Sequence, residues 1–254
     1  MIQQIRFVFR IIIGMAVLGA AMSFVSPTNK GNDKGRIAVY FENYVGDSLL
    51  KLDSSVYKNG FGQTYTISKV RYYIGNICLT RKDGKIGYHS SEYHLISEMG
   101  QATNVINLNV NPWEDYSSIS FIVGVDSIHN CSGTQTGALD PMNGMFWAWN
   151  TGYIFFKLEG QSRASKSNGN MLEFHIGGYK EPNNCIRKVT LNIKENDMII
   201  PYEKDAFMVI KVDISKVFDS TNKIDFSKIS AVSDFHNATT IADNYATMFS
   251  IIKQ

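Results

Sequence analysis

Five residues of this chain have the types and spacing to build a metal site: Trp147, Trp149, His175, His129 and His236. The two tryptophans sit two apart in GALDPMNGMFWAWNTGYIFFKLEG, beside Met145 and Phe146. Residues two apart in a strand point to one face, so two indoles can line one wall. His175 belongs to a second apolar run, MLEFHIGGY, at the same strand parity as Glu173 and just before Gly177-Gly178. Paired glycines let a backbone pass close to another group or turn sharply. Imidazole is the commonest transition-metal ligand and suits copper and zinc. Two imidazoles with few charges suit copper over calcium or magnesium, which take oxygen ligands.

His129 follows the strand-like Ser118–Val125 in the loop-like VDSIHNCSG, a reasonable position for a ligand. His236, in SDFHNATT, stands just before a helical pattern and is the third candidate. His94 alternates within a strand, and His89 looks like turn decoration. Each candidate has a plain structural reading beside the functional one. The histidines would be bonded to carbonyls or solvated in loops, and the indoles would fill a sandwich core. Asp126, Asp140, Glu159 and Glu173 are available acids, but none is paired with a base at a diagnostic spacing. The sequence has no HExxH, CxxC, phosphate loop or GxSxG elbow. A non-enzymatic binding protein is therefore the expectation.

The elements that must hold these residues are strands. Arg36–Tyr44, Gln63–Thr80, Glu92–Ile96, Val105–Leu108 and Ser118–Val125 alternate with period two and are rich in Val, Ile, Tyr, Phe and Thr. Tyr153–Leu158, Met171–Ile176, Arg187–Ile193 and Phe207–Val212 continue the series. Lys82-Asp83-Gly84-Lys85 reads as a hairpin turn. Ala238–Ile252 has apolar residues at 241, 245, 248, 249 and 252. That is helical spacing, with Thr239 or Thr240 as N-cap. The predicted fold is all-β: an antiparallel β-sandwich with a C-terminal α-helix from about Thr240 to Ile252.

Composition narrows the function. The 254 residues are 44% hydrophobic and 19% charged, enough for a sizeable core, and the net charge is +2 with no basic block. That balance argues against nucleic acid. Arg6 and Arg10 precede the apolar stretch Ile11–Met22, which is shorter than the about 20 residues a spanning helix needs. Cleavage is expected after Ala21 or Ser23, and no cysteine stands there to carry a lipid. Residues 1–25 thus read as a signal peptide, with a retained anchor as the competing reading. The mature chain, periplasmic or secreted and without a membrane span, forms one domain over 35–254. Cys131 and Cys185 flank the Trp–His segment, so an exported chain is expected to bridge them, leaving Cys78 over.

The run GVDSIHNCSGTQTGALDPMNGMFWAWNTGYIFFKLEG followed by FHIGGY resembles the MbnP-like family of secreted copper-binding proteins. KVRYYIGNICL, EYHLI and DFHNATTIADNYATMF are similar to the same pattern, so the resemblance runs from about Ile37 to Phe249. It implies a β-sandwich that holds one copper ion outside the cytoplasm, through histidines and a tryptophan oxidised to kynurenine. It also implies a partner, a di-haem peroxidase that performs the oxidation. Carried onto this chain, His175 is the first ligand and His129 the second. The modified or metal-wall residue is Trp147 or Trp149. The alternative from a different class is an extracellular recognition or adhesion sandwich without metal, its tryptophans serving as core or stacking surface.

Overall fold

Alternating apolar runs become strands throughout the described residues. The computed structural model describes residues 34–98, 104–147, 152–194, 204–233 and 237–253. The expected signal peptide, Trp149 and His236 lie outside the described residues. In chain order the first strands are β1 (Gly35–Val45), β2 (Ser48–Leu49), β3 (Tyr57–Lys58), β4 (Thr64–Arg81), β5 (Ile86–Ser97), β6 (Val105–Val110) and β7 (Tyr116–Val123). A short helix, α1 (Ser127–Cys131), follows. Then come β8 (Phe146–Trp147), β9 (Gly152–Tyr153), β10 (Phe156–Gln161), β11 (Met171–Ile176), β12 (Arg187–Asn192), β13 (Asp205–Asp213) and β14 (Ala231–Val232). Helix α2 (Ala238–Tyr245) and β15 (Phe249–Lys253) close the chain.

Two sheets carry the fold. The smaller runs β15-β13-β1-β2, with β6 also on β1. The larger runs β12-β7-β4-β10-β11-β14, with β3 and β5 also on β4. Most pairs are antiparallel, while β1 with β13 and β11 with β14 are parallel. The hairpin expected at Asp83-Gly84 joins β4 to β5, with Gly84 at a φ of 81°. Aromatic side chains fill the space between the sheets. Phe41 of the smaller sheet meets Phe121 of the larger edge-on at 5.7 Å, and Phe249 meets Phe121 at 5.1 Å. Each such pair contributes about 0.5–1.5 kcal/mol beyond its burial. The buried Tyr72 hydroxyl donates to Asn43 Oδ1 at 2.9 Å, so its polar end is satisfied across the core.

The all-β sandwich with a C-terminal helix is as predicted, but the helix is shorter. It begins after Asn237, not at Thr239 or Thr240, and ends at Tyr245. Residues 249–253 form β15 instead, antiparallel to β13. The reason is tertiary. β13 has β1 on one edge and would expose a row of unpaired backbone groups on the other. Phe249, Ile251 and Ile252 are good strand residues that cover it.

One irregularity bears on the outer face of the larger sheet. The pairing of β10 with β4 shifts between Glu159 and Gly160. Bulges of this kind re-aim neighbouring side chains. A Cβ on Gly160 would lie 2.1 Å from the Thr66 carbonyl oxygen, a backbone atom that cannot yield cheaply. Gly160→Ala is expected to destabilise the protein by about 1–3 kcal/mol. A lowered urea midpoint at unchanged m-value checks this, and a parent-like midpoint contradicts it.

Candidate functional site

The register of β10 builds two rows of side chains on one face. Lys157 stands between Arg71 of β4 and His175 of β11, and Glu159 stands between Lys69 and Glu173. Their neighbours Tyr72, Leu158 and Phe174 are fully buried between the sheets, so both rows face outward. His175 Nε2 lies 3.0 Å from Glu159 Oε1. The carboxylate can only accept there, so Nε2 carries the proton and Nδ1 keeps its lone pair, a tautomer assigned from the bonding network.

Burial and the nearby Lys157 charge hold His175 below its ordinary pKa, against the pull of Glu159 and Glu173. Burial pushes Glu159 upward. The bonds from Lys69 and His175 and the charges of Lys69 and Lys157 outweigh it, leaving the carboxyl below the usual range.

The basic row also holds the segment that presents the tryptophan. Arg71 Nη1 donates to the Asn143 carbonyl at 2.6 Å, and Lys157 Nζ donates to the Gly144 carbonyl at 2.9 Å. Tyr73 donates to the Ala138 carbonyl at 3.0 Å and Tyr153 to that of Leu139 at 2.7 Å. Asp140 caps the turn through the Met142 N–H, and Gly144 supplies the left-handed residue that ends it. Trp147 follows in β8, paired with Gly152 of β9, and is 6% exposed. Its ring lies against the bare Cα of Gly177. A Cβ there would stand 2.6 Å from Trp147 Cζ3 and 2.5 Å from the Tyr153 carbonyl oxygen. Gly177 stands two residues beyond His175, just past the end of β11.

His129 has a setting of its own. Asp126 caps α1, accepting from the His129 N–H at 2.9 Å and lying 2.9 Å from His129 Nδ1. Tyr93 donates to the other carboxylate oxygen at 2.8 Å, and its ring meets the imidazole at 4.8 Å. Burial raises the Asp126 pKa, but these donors outweigh it and keep the carboxyl low. With Nδ1 turned to Asp126, Nε2 is the nitrogen left to accept.

A cleft of about 490 Å³ beside this histidine is lined by Glu92, His94, Gln135 and Thr136 among others. His94 follows Tyr93 along β5, so its side chain points to the opposite face.

The structure thus seats Trp147 against Gly177, two residues beyond His175, and sets His129 apart. Tyr93 pairs with Gly75 of β4, whereas the His175 row meets β4 at Arg71. That offset is ~13 Å along the strand. Among the described residues, no group of three or more His, Cys, Asp or Glu could hold a metal. The spacing of Asp126 and His129 matches the reach of an N-cap and is readable in sequence. The partners Lys69, Arg71 and Lys157 of His175 depend on strand register, which no local pattern reveals.

The expected Cys131–Cys185 bridge is not formed: all three cysteines are free. Cys185 is fully buried, with its thiol 3.5 Å from the Asn183 carbonyl oxygen. Burial pushes its pKa up to about 12. Cys131 ends α1 at the surface, 3.3 Å from the Tyr179 hydroxyl. One thiol belongs to the core and the other to the surface, so flanking the same segment does not bring them together.

An all-β sandwich carrying a histidine–tryptophan face on its larger sheet is the class that fold and site define. The chain belongs to the MbnP family, whose model matches residues 34–238. Among solved structures it is similar to MbnP from Methylosinus trichosporium, at 14% identity and a TM-score of 0.49, over 73% of this chain and 78% of that one. No curated protein matches it.

The depressed His175 pKa fixes the sign of a pH effect. As pH falls below about 6.5, the unfolded chain takes up a proton that folded His175 refuses. The stability due to neutral His175 is therefore full above that pH and declines toward the lower folded value. His175→Gln, which keeps a donor for Glu159, should flatten the decline in unfolding free energy between about pH 6.5 and 5. A residual slope of the same sign remains from His94, whose pKa burial also lowers against the opposing charge of Glu92. Urea unfolding across that range checks this, and an unchanged slope contradicts it.

Proposed function

We propose that this protein binds copper outside the cytoplasm and is not an enzyme. Membership of the MbnP family supports the copper reading, and one observation carries it to particular residues. The Trp147 indole is seated where Gly177, two residues beyond His175, lacks a side chain. An imidazole beside a tryptophan is the pairing a kynurenine-containing site requires.

The donor chemistry fits. His175 offers Nδ1 and His129 offers Nε2, each because a carboxylate takes the other ring nitrogen. Carboxylates orient metal-binding imidazoles in this way. Neutral nitrogen donors suit copper, while calcium and magnesium would want a nest of oxygens. Lys69, Arg71 and Lys157 surround Glu159 beside His175. Repulsion from these cations scales with the charge of the bound ion. This end of the face therefore favours Cu(I) over Cu(II).

In this reading copper is cargo, held at the His175 end of the face; His129, offset by ~13 Å along the strand, does not share that ion. Trp147 or Trp149 is oxidised by a di-haem peroxidase after export of the chain, whose residues 1–25 are removed. No described helix is long and apolar enough to cross a membrane.

One observation favours the metal-free alternative of a recognition module. Tyr40, Phe207 and Ile252 are 39%, 42% and 50% exposed on one apolar patch of the smaller sheet. Protein expressed with export and copper separates the two readings. Copper is expected in rough stoichiometry with the chain, together with the mass of a tryptophan-to-kynurenine conversion where the peroxidase is present. His175→Ala should weaken copper binding at least ~10-fold while leaving the fold intact, and His129→Ala should leave it parent-like. A folded His175→Ala variant that holds as much copper as the parent would return this histidine to a structural role.

A further inference from the structure

Away from the histidine–tryptophan face, a second set of soft donors lies in one row of the larger sheet. Cys78 of β4 stands directly opposite His89 of β5 on one side and Ser120 of β7 on the other. Directly opposed residues in an antiparallel pair share a face. Ile77 and Leu79, the neighbours of Cys78 along β4, are buried in the core. Cys78 therefore faces outward, half-buried, with the exposed His89 beside it. His129 and His175 are both engaged by carboxylates. Cys78 and His89, by contrast, have no hydrogen-bond or ion-pair partner among the described residues.

We propose that Cys78 and His89 form a two-donor clamp for a soft monovalent ion, Cu(I) or Ag(I), separate from the imidazoles of His175 and His129. Opposed Cβ atoms in such a pair are ~4.5–5.5 Å apart. Both donors extend outward from these Cβ atoms on one face, and linear coordination asks that Sγ and the imidazole nitrogen stand ~4.3 Å apart, the sum of metal–sulfur and metal–nitrogen bonds of ~2.3 and ~2.0 Å. The ion can thus bridge the strands without moving the backbone. The thiolate is the ligand form, so the S–H bond breaks as the S–metal bond forms and the proton passes to water, with no change of oxidation state. Zinc, which takes four ligands in structural sites, is not served. No cluster of three or more His, Cys, Asp or Glu is available among the described residues. The clamp does not rest on the copper reading of His175 and His129.

The test is calorimetric titration of Ag(I) into protein carrying Cys131→Ser, His129→Ala and His175→Ala, which removes the exposed thiol and those two imidazoles and leaves Cys185 buried. One tight equivalent is expected. Cys78→Ser should abolish it, and His89→Ala should weaken it at least ~10-fold, the scale seen when a metal site loses a supporting group. Both clamp side chains face outward, so their variants are expected to fold, which circular dichroism checks. Independently, Ag(I) should protect Cys78 from iodoacetamide in the parent, read by peptide mass. A tight equivalent that survives Cys78→Ser overturns the proposal. So does a parent-like affinity in His89→Ala, which would reduce the clamp to a single thiol, and so does unprotected alkylation of Cys78.

Discussion

β4 must satisfy neighbours on both edges along its 18 residues, and the arrangement of the molecule follows from how it does so. β5 pairs with it from Arg71 to Thr80. On the opposite edge β10 takes the first half and β7 the second. A strand of this length would leave many unpaired backbone groups if either edge lost its partners. Its inner face contributes Ile67, Tyr72, Ile74, Ile77 and Leu79, all essentially unexposed. Its outer face contributes Lys69, Arg71, Tyr73 and Gly75 in the first half. Asn76 then adopts a φ of 50° where the register shifts, and Cys78 faces outward beyond it. One strand thus anchors the aromatic core on one side and the polar groups on the other.

The outer groups act chiefly by holding other groups in place. Arg71, Tyr73 and Lys157 bond the carbonyls of the 138–144 segment and lay it across the sheet. That segment delivers Trp147 to Gly177, and the strand leading into Gly177 carries His175. Glu159, aimed from beside the bulge at Gly160, fixes which nitrogen of His175 stays open. Ion pairs here are partly screened and individually modest. Their contribution is geometric: they set orientation on an already stable sheet.

Much of this is legible in sequence because a half-buried strand writes its parity into the chain. Alternation alone bounds Met171–Ile176 in full, and β1, β4 and β13 to within one or two residues. The glycine pair after His175 also carries its meaning, since Gly177 proves to be a point of close approach. Features that depend on partners distant in sequence are not legible. Residues 248, 249 and 252 continue a helical period by coincidence, and the open edge of β13 decides that 249–253 form a strand. A bridge between Cys131 and Cys185 rests on their place along the chain, while burial puts one thiol in the core and leaves the other at the surface. The cations around His175 come from β4 and β10, and only the register joins them.

Copper held by imidazole nitrogen at His175 has a direct spectroscopic signature. It is read by X-ray absorption at the copper edge, on Cys78→Ser protein loaded with one equivalent of Cu(I), so that the thiol of the second site is absent. A first shell of nitrogen at ~2.0 Å is expected, with the outer-shell scattering of imidazole rings, diminished in His175→Ala. A shell of oxygen alone, or an imidazole pattern unchanged in His175→Ala, would contradict it.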